Sequence, residues 1–113
     1  MKKFALLLLV ALGLVLVAAA KEKDSAPKGT IHPARKTKPA DLPALAKISF
    51  VQALNNAAAA QPGSVLKAEL EVEDGCLMYS FEIVGANHKI TEIEIDAGDG
   101  SVLGREDAEN DKD

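Results

Sequence analysis

The chain has 113 residues, of which 48% are apolar and 27% charged, with no Trp and a single Cys. That length holds one small domain and excludes a multidomain enzyme, and one Cys excludes a disulfide framework or a Cys-rich zinc module. Seventeen acidic residues against thirteen basic ones argue against a nucleic-acid binder.

The net charge of −4 is unevenly distributed. Residues 21–46 carry six basic and three acidic side chains, whereas residues 47–113 carry five basic and fourteen acidic. The chain therefore reads as an acidic body on a basic stalk.

Lys2 and Lys3 precede an apolar run from Phe4 to Ala20 that closes in three alanines. Residues 1–20 thus have the charged, apolar and small-residue regions of a secretory signal peptide, and the expected product is exported, periplasmic or extracellular. The alternative is an uncleaved membrane anchor. Seventeen residues would span about 26 Å of a hydrocarbon core about 30 Å thick, and membrane association is expected only in that uncleaved form. Residues 21–46 hold four of the five prolines, with scattered Lys and Thr and no apolar periodicity. They are expected to form a disordered basic linker.

Ser49-Phe50-Val51-Gln52 has the form of a capping box, so a helix is predicted from Phe50. Phe50, Val51, Ala53, Leu54, Ala57 and Ala58 fall on one arc of it, and Pro62-Gly63 ends it. The period then switches to two. Leu66, Ala68, Leu70 and Val72 alternate with Lys67, Glu69, Glu71 and Glu73, and beyond Asp74-Gly75 the residues Leu77, Tyr79, Phe81 and Ile83 alternate with Met78, Ser80 and Glu82.

Asp-Gly between two such runs predicts a two-residue hairpin. Its register pairs Val72 with Leu77, Leu70 with Tyr79, Ala68 with Phe81 and Leu66 with Ile83, and sets Lys67 against Glu82 on the other face. A third strand through Thr91, Ile93 and Ile95 is expected to pair with Ile83, Phe81 and Tyr79. Val102-Leu103 offers a short fourth strand after the Gly98-Asp99-Gly100 turn. Glu106 to Asp113 reads as an acidic disordered tail. The predicted fold class is α+β, with one helix packed on a three- to four-stranded antiparallel meander whose outer face is rich in Glu. A globule of about 60 residues is close to the size at which a lone core becomes marginal, which brings a homodimer into the range of expected partners.

Few residues suggest chemistry. His88 sits in a predicted loop, and no Ser has the glycine-flanked turn of an exposed nucleophile. Cys76 alternates onto the outer face opposite Glu73, where an acidic neighbour makes a thiol a poorer nucleophile, and a free thiol is expected. Asp96 and Asp99 lack the spacing of a calcium loop and read as a hairpin turn. The acidic face, Glu69, Glu71, Glu82, Glu92 and Glu94, is the candidate partner-binding surface. Such a row is most often just a solvated face that keeps sheet edges from aggregating, and its density makes a basic partner or weak divalent-cation binding the functional alternative. No catalytic, cofactor or metal residues are assigned.

Taken in order, Ile48-Ser49-Phe50 opening an Ala-rich helix, Pro62-Gly63, Ala68-Glu69-Leu70, Tyr79-Ser80-Phe81-Glu82-Ile83, Ile93-Glu94-Ile95-Asp96-Ala97 and Gly100-Ser101-Val102-Leu103 resemble the PepSY domain. The resemblance covers residues 47–105, with Ser80 standing where the family usually has an acid. It implies a cystatin-like fold and an exported, non-enzymatic module that restrains or regulates peptidases, without cofactor or catalytic residues. No metallopeptidase follows within these residues, so the expected partner is another protein, an extracytoplasmic peptidase, met in trans. The alternative is an envelope sensor or carrier that binds divalent cations or a basic ligand on its acidic face.

Overall fold

The computed structural model describes residues 28–108. The signal peptide expected at 1–20, the first part of the linker and residues 109–113 lie outside these. Ser49 caps helix α1 (Phe50–Ala60) as its capping box requires: its hydroxyl accepts from the Gln52 amide at 3.1 Å, and the Gln52 side chain accepts from the Ser49 amide at 2.9 Å. The last turn closes through the Gln61 amide on the Ala57 carbonyl, and Pro62 prevents further winding.

Four strands follow, β1 (Ser64–Glu73), β2 (Cys76–Val84), β3 (Ile90–Asp96) and β4 (Val102–Asp107), in one antiparallel sheet of order β1-β2-β3-β4. Asp74 (φ 54°) and Gly75 (φ 80°) are both left-handed, the geometry of a type I′ turn, whose twist matches that of the flanking strands. The hairpin pairs Val72 with Leu77, Leu70 with Tyr79, Ala68 with Phe81 and Lys67 with Glu82, as expected.

The register departs from expectation beyond Lys67. An irregularity between Val65 and Lys67 places Val65, not Leu66, opposite Ile83. The extra residue leaves Leu66 bulged and exposed; strict alternation in the sequence carries no mark of such an insertion. Between β2 and β3 the predicted pairs, Ile83 with Thr91, Phe81 with Ile93 and Tyr79 with Ile95, are all present.

Leu77, Phe81, Ile83, Ile93 and Ile95 are fully buried between the sheet and α1, each contributing about 2 kcal/mol of transfer free energy. Ala53 and Ala57 are the fully buried residues of α1, and their small side chains let the helix approach closely. The buried arc is narrower than the apolar pattern predicted. Val51 and Ala58 are exposed, and Phe50 is half-exposed while its ring packs on those of Tyr79 and Phe81, 6.2 and 5.8 Å away between centroids. The helix lies over β2, β3 and β4. The apolar side chains of β1 are correspondingly less covered: Val65, Leu66 and Val72 are exposed, and Ala68 and Leu70 half-buried.

Two expectations about the flanks are corrected. The linker was expected to be disordered to Ala46, yet residues 28–46 are held against the domain. The Ile31 carbonyl accepts from the Leu77 amide at 2.9 Å, Leu42 is buried in the core, and two 3-10 turns (Pro39–Asp41 and Pro43–Leu45) lead into α1. Two isolated apolar residues among prolines and charges give no periodic signal, although each finds a place in the core. The acidic tail was expected from Glu106, but Glu106 and Asp107 belong to β4, opposite Glu92 and Thr91.

An acidic candidate binding face

Alternation along three adjacent strands sends every second side chain to the face opposite α1. Glu69, Glu71 and Glu73 from β1, Ser80 and Glu82 from β2 and Glu92 from β3 line an open groove of about 320 Å³, with Lys67 as its one basic side chain. Four of the five candidate residues, Glu69, Glu71, Glu82 and Glu92, thus share this groove. Glu94 lies one step further along β3 and feels the charges of Glu73 and Glu92. Glu73 was not among the candidates although it lines the groove; its pairing with Cys76 across the turn was the signal that placed it on this face.

Burial and the crowding of like charges both act on the carboxyls of this face. Burial first, then a hydrogen bond that the protonated Glu71 donates to the Glu69 carboxylate, and the charges of Glu69, Glu73 and Glu92, push the Glu71 carboxyl up to about 7. Glu94 is also pushed up to about 7, by burial and by the charges of Glu73, Glu92 and Glu106. Ser80 donates to Glu92 at 2.8 Å, and Lys67 reaches Glu69 only at 4.0 Å in an exposed pair. Carboxylate oxygens of Glu71, Glu73 and Glu92 lie within 4.8 Å of one another.

The far end of the same face is closed. Cys76 lies on it, as alternation requires, but is buried beneath the N-terminal segment rather than solvated: the Gly29 amide donates to its Sγ at 3.2 Å. Gly29 is needed there, since a Cβ would stand 2.7 Å from the Cβ of Cys76 and 2.9 Å from Asp96 Oδ1. Asp96 is fully buried and accepts four hydrogen bonds, from the Thr30 amide (2.9 Å) and hydroxyl (2.6 Å) and from the amides of Gly98 (3.1 Å) and Asp99 (2.8 Å). Burial raises its pKa, but the hydrogen bonds from Thr30 and Asp99 outweigh that and hold it below the ordinary carboxylate value. Asp96 is therefore the knot that ties the N-terminal segment and the β3–β4 turn to the sheet, a role invisible in a sequence that places Thr30 sixty-six residues away. His88 is exposed in the β2–β3 loop with φ 68°.

A helix on a four-stranded meander, with a packed core on one side and a carboxylate-lined groove on the other, defines a small α+β module with one apolar and one acidic sheet face. Residues 47–106 match the family model of PepSY, the peptidase propeptide and YPEB domain, and the chain belongs to that family. Neither a curated protein nor a solved structure is a significant match to the chain. Family membership makes this a non-catalytic module with a general role in peptidase regulation. Among the described residues, no helix is long and apolar enough to cross a membrane.

Proposed function

We propose that residues 1–20 direct export, and that the folded module binds an extracytoplasmic peptidase in trans and restrains it through its sheet edge or its acidic face, Glu69, Glu71, Glu82, Glu92 and Glu94. The match of residues 47–106 to the propeptide domain carries this reading. The acidic groove supplies the chemistry for a basic surface on the partner. The purified protein is to be mixed with the extracytoplasmic peptidases of its source. Co-elution with one of them and a lowered rate of peptide hydrolysis are expected; no association and unchanged rates with every peptidase would refute the proposal.

The spacing of Glu71, Glu73 and Glu92 favours one second reading, weak binding of a divalent cation. Calorimetry with calcium tests it: heat of binding that disappears in the Glu71→Gln/Glu92→Gln variant supports it, and no heat at millimolar calcium rejects it.

A further inference from the structure

The two edges of the sheet are unequal. β4 is short, carries a register shift between Glu94 and Ile95, and is touched at the Leu103 carbonyl by Lys28. Edges treated in this way pair poorly with another chain. β1 is ten residues long, and from Lys67 to Glu73 its pairing with β2 is regular.

In a two-residue hairpin the residues flanking the turn, here Glu73 and Cys76, exchange both backbone hydrogen bonds, and alternate pairs repeat that arrangement. Glu69, Glu71 and Glu73 therefore turn their amides and carbonyls toward β2. Ala68, Leu70 and Val72 turn theirs outward, and among the described residues no hydrogen bond from a turn, loop or side chain reaches them.

The two faces beside this edge differ in chemistry. On the helix side, Leu70 and Ala68 lie opposite Tyr79 and Phe81, the two β2 rings on which half-exposed Phe50 packs, so Phe50 lies over the strand adjoining the edge, and Val72 of the edge itself is exposed. On the other side stands the row Glu69, Glu71 and Glu73, with a single Lys67.

We propose that the β1 edge accepts an extended segment of alternating apolar and basic residues as a fifth strand. The segment's backbone would pair with Ala68, Leu70 and Val72, its apolar side chains would extend the surface of Phe50, Leu70 and Val72, and its Lys or Arg side chains would lie beside Glu69, Glu71 and Glu73. Side chains on neighbouring strands stand about 5 Å apart, close enough for each cation to meet a carboxylate. The same row disfavours a second copy of this chain. An antiparallel pairing of two β1 strands centred on Leu70 would set Glu69 of each against Glu71 of the other, adding like charge to a row that already holds Glu69, Glu71 and Glu73 side by side. This proposal deepens the peptidase reading and rests on it only for the identity of the partner; the strand chemistry stands on the edge itself.

The test uses the purified protein and ten-residue synthetic peptides of alternating Val and Lys, alternating Val and Glu, and the Val/Lys composition in scrambled order. The Val/Lys peptide is expected to bind and to slow amide hydrogen exchange at Ala68, Leu70 and Val72 at least tenfold. The Val/Glu and scrambled peptides should bind at least tenfold more weakly. Glu69→Gln/Glu71→Gln and, separately, Val72→Lys should each weaken the Val/Lys peptide about tenfold. Absence of binding, equal binding of the three peptides, binding without slowed exchange at these amides, or a peptide-free dimer whose β1 amides are already protected would each overturn the proposal. Peptidase inhibition that survives Val72→Lys and saturating Val/Lys peptide would overturn this edge and leave the regulatory reading standing. Capture of the peptide by a protein that binds no peptidase would support the edge and remove that reading.

Discussion

Replacing Thr30 by Val removes one hydroxyl and little else, because the two side chains have nearly the same shape. The bond lost is the 2.6 Å hydrogen bond to Asp96 Oδ2, while the amide bond from Thr30 to Oδ1 at 2.9 Å remains. A hydrogen bond to an ionised carboxylate contributes about 1.5–3 kcal/mol, and about 2 kcal/mol is appropriate here because Asp96 keeps three other donors. If the segment 28–31 unfolds with the domain, this loss lowers Tm by about 8–16 °C, at about 4–8 °C per kcal/mol for a domain of this size. If it opens locally, the same 2 kcal/mol multiplies the open population about thirtyfold. Cys76 reports the difference, since Gly29 covers its thiol in the closed state. Thermal melting and the rate of reaction of Cys76 with a thiol reagent together distinguish the two outcomes. A Thr30→Val protein with unchanged Tm and an unchanged labelling rate would refute the assignment of Asp96 as the residue that holds this segment.

Three further outcomes follow from the geometry. Glu71 and Glu94 have folded-state pKa values of about 7 against 4.5 for the free side chain, so between those values the folded state binds more protons than the unfolded one. Their effect is absent below about pH 4.5 and becomes a penalty as pH rises toward 7; Tm should be higher at pH 5.5 than at pH 8, and Glu71→Gln/Glu94→Gln should raise Tm at pH 8 and flatten the dependence. Asp96 works in the opposite sense: its depressed pKa gives stability that is present above the ordinary value of 3.8 and lost in stronger acid, so the rise in stability on acidification should reverse there. Ser49→Ala removes the hydroxyl that accepts from the Gln52 amide, at a cost of about 1 kcal/mol, and calorimetric melting should show a loss of about 4–8 °C with the sheet otherwise intact.

The hairpin, its register and the helix start were legible because each rests on local chemistry. Asp74-Gly75 admits the left-handed turn, Ser49 and Gln52 sit three residues apart, and the alternation of Leu70, Val72, Leu77 and Tyr79 agrees with only one pairing. The acidic groove was legible for the same reason, since alternation alone assigns Glu69, Glu71, Glu82, Glu92 and Glu94 to one face. What escaped depends on distant partners. Ile31 and Leu42 find their places only once Leu77 and the core exist, and Thr30 gains its role only when β3 delivers Asp96. The bulge before Lys67 escaped because Val65 and Leu66 are both apolar, so either could satisfy the pattern opposite Ile83.

Gly29 lies against Cys76 at the start of β2 and Asp96 at the end of β3, so the polypeptide comes onto the domain at the end of the sheet that carries the Asp74-Gly75 turn. Ala68, Leu70 and Val72 lead away from that end along β1, the strand next to β2. Anything that holds the chain from its N-terminal side therefore pulls along the strands from the turn end, not across the outer side of β1.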